Sequence, residues 1–170
     1  AHADELFETA YYSFKSKHPD EAEIYSQETA KRIIKVTFQC LTKIDEARAV
    51  RNRMTLQEIT DIIQHPDIKV KGTGKILDIF RLQGNTFIKP FITEDPETIK
   101  TDKNTVLDIT HESLIRNWDI LKTWADEEYD NWLNFQDFNK QLQRWIKSGK
   151  TKGYLLPIGP LTFFENWYNS

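Results

Sequence analysis

The sequence predicts a mainly α chain with a small β component (α+β), and three observations carry that prediction. Apolar residues recur at three- and four-residue steps through most of the 170 residues. The period switches to alternation over only two short runs, Phe87 to Phe91 and Val106 to Thr110. Every tryptophan (Trp118, Trp124, Trp132, Trp145 and Trp167) then falls in the last third, on a further helical stretch.

The elements follow in order. Asp4 to Lys15 is rich in helix formers and aromatics and stops at His18-Pro19, because the residue before proline is pushed out of the α region. Asp20 suits the N-cap of a second helix, in which Ala30, Ile33, Ile34, Phe38, Leu41 and Ile44 form one buried face. Arg48 to Arg53 is a short basic stretch. Thr55-Leu56-Gln57-Glu58 is a capping box: the threonine side chain serves the third N–H while the glutamate reaches back. Ile59, Ile62 and Ile63 give that helix its apolar side, and Pro66 closes it. A loop with Gly72 and Gly74 leads to a helix from Lys75 to Gln83, with Gly84 at a left-handed C-cap.

The polar segment between the two alternating runs, ITEDPETIKTDKN, reads as a projecting hairpin loop. Three helices followed by two strands with such a loop is the order of a winged helix, and the basic stretch before Thr55 supplies its short third strand. After His111 the chain is helical again, as one helix or two joined near Asp126, ended by Gly149 and Gly153. A last helix starts at Gly159-Pro160 and runs through Phe164 and Trp167. The expected domains are a helical lead-in over 1–27, a winged helix over 28–111 and a helical tail over 112–170 packed on it.

Composition narrows the function. Lys+Arg number 23 against 26 Asp+Glu, a formal net charge of −3 and a pI near 5.8. Such a balance offers no broad counter-charge to a phosphate backbone and disfavours a generalist nucleic-acid binder. The single cysteine, Cys40, rules out an internal disulfide framework and a CxxC metal site. Apolar runs are short and interrupted by charge, so neither a spanning helix nor a signal peptide is expected, and the cytoplasm is the expected compartment. The only methionine is Met54, which leads us to expect a piece of a longer protein.

Two motifs fail on inspection. Gly72-Thr73-Gly74-Lys75 resembles the tail of a P-loop, but Lys69 stands where the first glycine belongs and Ile76 where the magnesium-binding hydroxyl belongs. His111-Glu112 opens like a zinc-binding HExxH helix, but Ile115 takes the second histidine's place. His2, His18 and His65 are scattered. No metal site and no catalysis within these residues is expected. DNA readout would fall to the helix with Lys75 and Arg81 against Asp78. Its wing would carry Lys100 and Lys103 against Glu94, Asp95, Glu97 and Asp102, an acidic tip that phosphate would repel.

The segment Val106-Leu107-Asp108-Ile109-Thr110-His111-Glu112-Ser113-Leu114-Ile115-Arg116-Asn117-Trp118 resembles the "THEALIRxW" signature of STAND NTPases, signal-transducing P-loop ATPases related to AAA+ proteins. Val50-Arg51-Asn52-Arg53, the Phe87-Ile88-Lys89-Pro90-Phe91 strand and the tryptophan-spaced tail agree with it. Tyr154-Leu155-Leu156 followed by Leu161 and Trp167 is similar to the family's "YLLxGxxLxxAxxW". The resemblance runs from about Ala30 to Tyr168. It implies a regulatory module that couples the ADP/ATP state of an upstream P-loop domain in cis to a downstream repeat or effector region, with self-association. Nucleotide and Mg²⁺ would belong to the full-length parent, and this segment would hydrolyse nothing alone. In related proteins a histidine at this turn, within an "MHD"-type motif, contacts the β-phosphate of ADP. The residue carried over is His111, with Thr110 and Glu112 departing from the motif. Arg51 and Arg53 would approach the nucleotide or the ATPase domain, or else be solvated. Read from alternation alone, His111 shares the core face of Leu107 and Ile109 and packs there against a carbonyl. Glu112 is a first-turn acid compatible with the helix dipole.

Overall fold

α1 (His2–Lys17) buries Ala3, Leu6, Ala10 and Phe14 along one stripe and stops at His18-Pro19, as the proline requires. The computed structural model describes residues 2–45, 48–93 and 102–169. Beyond α1 the chain turns rather than restarting a helix at Asp20. α2 spans Gln27–Cys40, and its N-cap is Ser26, whose Oγ accepts the Thr29 N–H at 3.1 Å. The shift has a packing reason. The extra turn brings Tyr25 edge-on to Phe14, with ring centroids 5.8 Å apart. Serine then caps the helix where its apolar period begins.

Ile44 does not extend α2. Thr42–Asp45 forms β1, antiparallel to β2 (Arg48–Arg51) in the register Thr42↔Arg51 to Asp45↔Arg48. Asn52 holds the next bend, its side-chain amide donating to the Cys40 carbonyl at 2.8 Å. β3 (Arg53–Thr55) then runs into α3 (Leu56–Ile63) through the expected capping box. Thr55 Oγ1 accepts the Glu58 N–H at 3.2 Å, and Glu58 Oε2 accepts the Thr55 N–H at 2.7 Å.

α4 spans Val70–Asp78, starting before the expected Lys75 and taking Gly72 and Gly74 inside the helix. Gly72 is required there by close approach: a Cβ would lie 2.2 Å from the Tyr25 hydroxyl. Gly84 does adopt a left-handed backbone (φ 92°), but in the turn beyond α4 rather than as its cap. β4 (Ile88–Lys89) and β5 (Val106–Ile109) complete an antiparallel sheet of order β3-β5-β4, so the basic stretch supplies an edge strand. Glu94, Asp95, Glu97 and Lys100 lie outside the described residues.

α5 (Glu112–Asn117) and α6 (Asp119–Lys147) break at Trp118, not near Asp126. Trp118 is extended (φ −98°, ψ 103°), which turns its ring into the core. There it meets Phe38 at 4.9 Å, and its indole N–H donates to Asp4 at 2.7 Å. Phe38 also contacts Phe80 at 5.4 Å, so α2, the break between α5 and α6, and the turn after α4 share one aromatic centre.

The chain divides into two compact units, residues up to Ala125 and residues from Asp126 onward. In the second, α6 ends at a left-handed Gly149 (φ 74°), a 3-10 turn covers Lys152–Tyr154, and α7 spans Ile158–Asn169. Phe164 is buried among Phe138, Phe163 and Trp167. Among the described residues no helix is long and apolar enough to cross a membrane.

Candidate functional site

The β5–α5 junction gathers the residues singled out from the sequence. β5 ends at Ile109, and Thr110 donates its N–H to the Phe87 carbonyl at 2.9 Å. His111 is then the N-cap position of α5, extended at φ −134° and ψ 133°, with no side-chain capping bond. Its side chain is exposed. The core-face placement expected from alternation is therefore corrected: the strand stops before His111, and the turn into α5 releases the ring from the face of Leu107 and Ile109.

Arg51 closes β2 and reaches the same turn. Its guanidinium donates to the Ile109 carbonyl at 3.1 Å and the Thr110 carbonyl at 3.3 Å. Arg53, directly across from Asp108 in the β3–β5 register, donates through Nε to Asp108 Oδ2 at 3.1 Å. Arg51 approaches the same carboxylate oxygen at 3.8 Å. Asp108 is the residue that sequence reasoning missed. Its signal was an acid inside an otherwise apolar strand run, which only the strand register turns into a pairing with Arg53.

Arg51, Asn52, Arg53 and Asp108 line a depression of about 390 Å³. Asp108 Oδ1 on β5, and Thr110 Oγ1 just beyond the strand, are buried without hydrogen-bond partners. Two guanidinium groups against one carboxylate leave the corner cationic. The exposed N–H edges of Arg53 suit a phosphate or carboxylate, since guanidinium donors match such anions in charge and geometry. Glu112 stands in the first turn as expected and takes an i,i+4 pair with Arg116 at 3.2 Å.

The model of one family, described as Novel STAND NTPase 1, matches residues 16–153. The chain belongs to that family. No curated protein and no solved structure matches it.

The other candidate motifs of this STAND-family chain serve its core. Gly72, Thr73 and Gly74 are buried in α4, and Lys75 donates to Glu21 at 2.7 Å, so the glycine-rich segment forms no phosphate loop. The same bond holds the Glu21 carboxyl below the ordinary value of 4.5, against an opposing effect of burial. Arg81, expected to face DNA, is buried and bonds Asp78 at 2.7 Å and the Pro90 carbonyl at 2.7 Å. Among the described residues no group of three or more His, Cys, Asp or Glu side chains is placed to hold a metal.

Proposed function

We propose that this chain is the winged-helix and helical region of a STAND-type signalling NTPase. In this reading it couples the nucleotide state of an upstream P-loop domain to downstream sensor or effector segments. Helices α2, α3 and α4 with the sheet β3-β5-β4 follow winged-helix order. The observation that carries the reading is an exposed imidazole at the β5–α5 junction, with Arg51 bonded to the two carbonyls just before it. The ring N–H of His111 would donate to a phosphate oxygen of ADP, and Arg51 and Arg53 would add charge beside it. ADP then favours the conformation in which this corner faces the P-loop domain. Replacing it with ATP shifts the population toward another, as differential affinity for two states requires. ADP and Mg²⁺ are cofactors of the parent, and this segment alone hydrolyses nothing.

Nucleic acid does not belong to this reading, because Lys75 and Arg81 are already engaged by Glu21 and Asp78. The test is ADP retention in the longer protein, wild type against His111→Ala and Arg51→Ala. A fall of tenfold or more in retention, about 1.4 kcal/mol, is expected for His111→Ala. Unchanged retention removes the histidine from the role.

A further inference from the structure

Asp108 carries a cost that its ion pairs return only in part. It lies on β5 between the buried Leu107 and Ile109, and its own side chain is 10% exposed. Oδ2 faces both arginines, Arg53 Nε at 3.1 Å and the Arg51 guanidinium at 3.8 Å, while Oδ1 is buried with no hydrogen-bond partner. A buried polar atom left unpaired is unfavourable, and an ion pair to an arginine as exposed as Arg53 contributes little against it. An asparagine would keep the shape of the side chain and an acceptor for Arg53. The full charge therefore needs a reason beyond the fold.

What the carboxylate changes is the potential of the corner. Among the described residues that line the depression, Arg51, Asn52, Arg53 and Asp108, it is the single acid. The bond from Arg53 uses Nε and not the Nη nitrogens, so the held guanidinium can still donate to a second anion. An anion at those nitrogens would sit within a guanidinium's width of Asp108, where like charges repel.

We propose that Asp108 is the built-in counter-charge of this corner, holding its stand-alone affinity for a phosphate anion low. The inference rests on the phosphate reading given above and adds the regulation of that site. A ligand shifts a two-state equilibrium only through a difference in affinity between the states. Bare guanidinium groups would take free phosphate with the domains apart and so stabilise the undocked conformation. With Asp108 beside them the undocked corner stays empty. Arg51 and Arg53 then contribute only where His111 and the P-loop domain already hold the nucleotide.

Calorimetric titration of the 170-residue chain with inorganic pyrophosphate, without Mg²⁺ and at low salt, tests the proposal. Wild type should bind weakly, with a Kd of about 1 mM or above. Asp108→Asn should bind about tenfold more tightly, with a steeper salt dependence. Adding Arg53→Ala to Asp108→Asn should remove the gain. Asp61→Asn on α3 takes the same charge from an exposed position outside the corner and should change affinity less than about twofold. A gain in Asp108→Asn no larger than that of Asp61→Asn overturns the proposal. So does wild-type binding tighter than about 10 μM, or no binding by Asp108→Asn at about 10 mM. ADP release from the longer protein separates this inference from the reading beneath it. Slower release in Asp108→Asn with unchanged release in His111→Ala keeps the counter-charge and discards the histidine. Faster release in His111→Ala with no change in Asp108→Asn does the reverse.

Discussion

Asp108 and His111 stand three positions apart on one strand end, yet they answer to different physics. Asp108 is buried, receives Arg53 and lies beside Arg51, whereas the His111 ring is exposed and caps nothing. Asp108→Asn should therefore cost about 1 kcal/mol of stability, a charge-assisted bond discounted because Arg53 is largely exposed. His111→Ala should stay within about 0.5 kcal/mol, as surface substitutions do. Urea unfolding of the two variants against wild type checks both, and a destabilising His111→Ala would mean that the ring packs. Glu21 sets a pH dependence of its own. Its carboxyl is held below 4.5 by the Lys75 hydrogen bond, so the folded chain binds this proton more weakly than the unfolded chain. The resulting stability is fully present above pH 4.5 and disappears as pH falls through the lowered value. Glu21→Gln should flatten that part of the acid-unfolding curve, measured as the urea midpoint against pH.

At the scale of elements, what could be read from the sequence was what depends on near neighbours. The Thr55 capping box, the stop at His18-Pro19 and the alternating run of β5 all form as expected, because each needs only residues a few positions apart. The exposed His111 with Arg51 beside it is half of this kind. The junction was legible from the motif, but the bonds from Arg51 to the Ile109 and Thr110 carbonyls depend on where a distant hairpin folds back. β1 was hidden because Ile44 continues the period of α2, and only pairing with Arg48–Arg51 reassigns it. α4 was placed too late because two glycines read as a loop. Gly72 makes the point testable. Inside a helix, glycine to alanine should stabilise by about 1 kcal/mol. Here the added methyl would meet the Tyr25 ring, which is fixed by Phe14 and by the Lys69 N–H at 3.1 Å to its hydroxyl. Gly72→Ala should instead destabilise by about 1–2 kcal/mol, since overpacking against a fixed ring outweighs propensity. Removing the ring as well, in Gly72→Ala with Tyr25→Ala, should cost less than the sum of the single changes. Simple additivity in urea titrations would show that the contact does not set the sign.

Across the whole molecule, burial is distributed very unevenly between the two units. Among the described residues, every buried apolar side chain except Phe164 belongs to the unit ending at Ala125. Local opening free energy follows the apolar surface that an opening exposes, so a unit with one buried ring opens far more easily than one built around Phe38, Phe80 and Trp118. Native-state hydrogen exchange should show this directly. Amides of α2, α3 and β5 should exchange only through the largest opening of their unit, while amides of α7 and of α6 beyond Asp126 exchange orders of magnitude faster. Equal protection of both units at low concentration would contradict the burial argument.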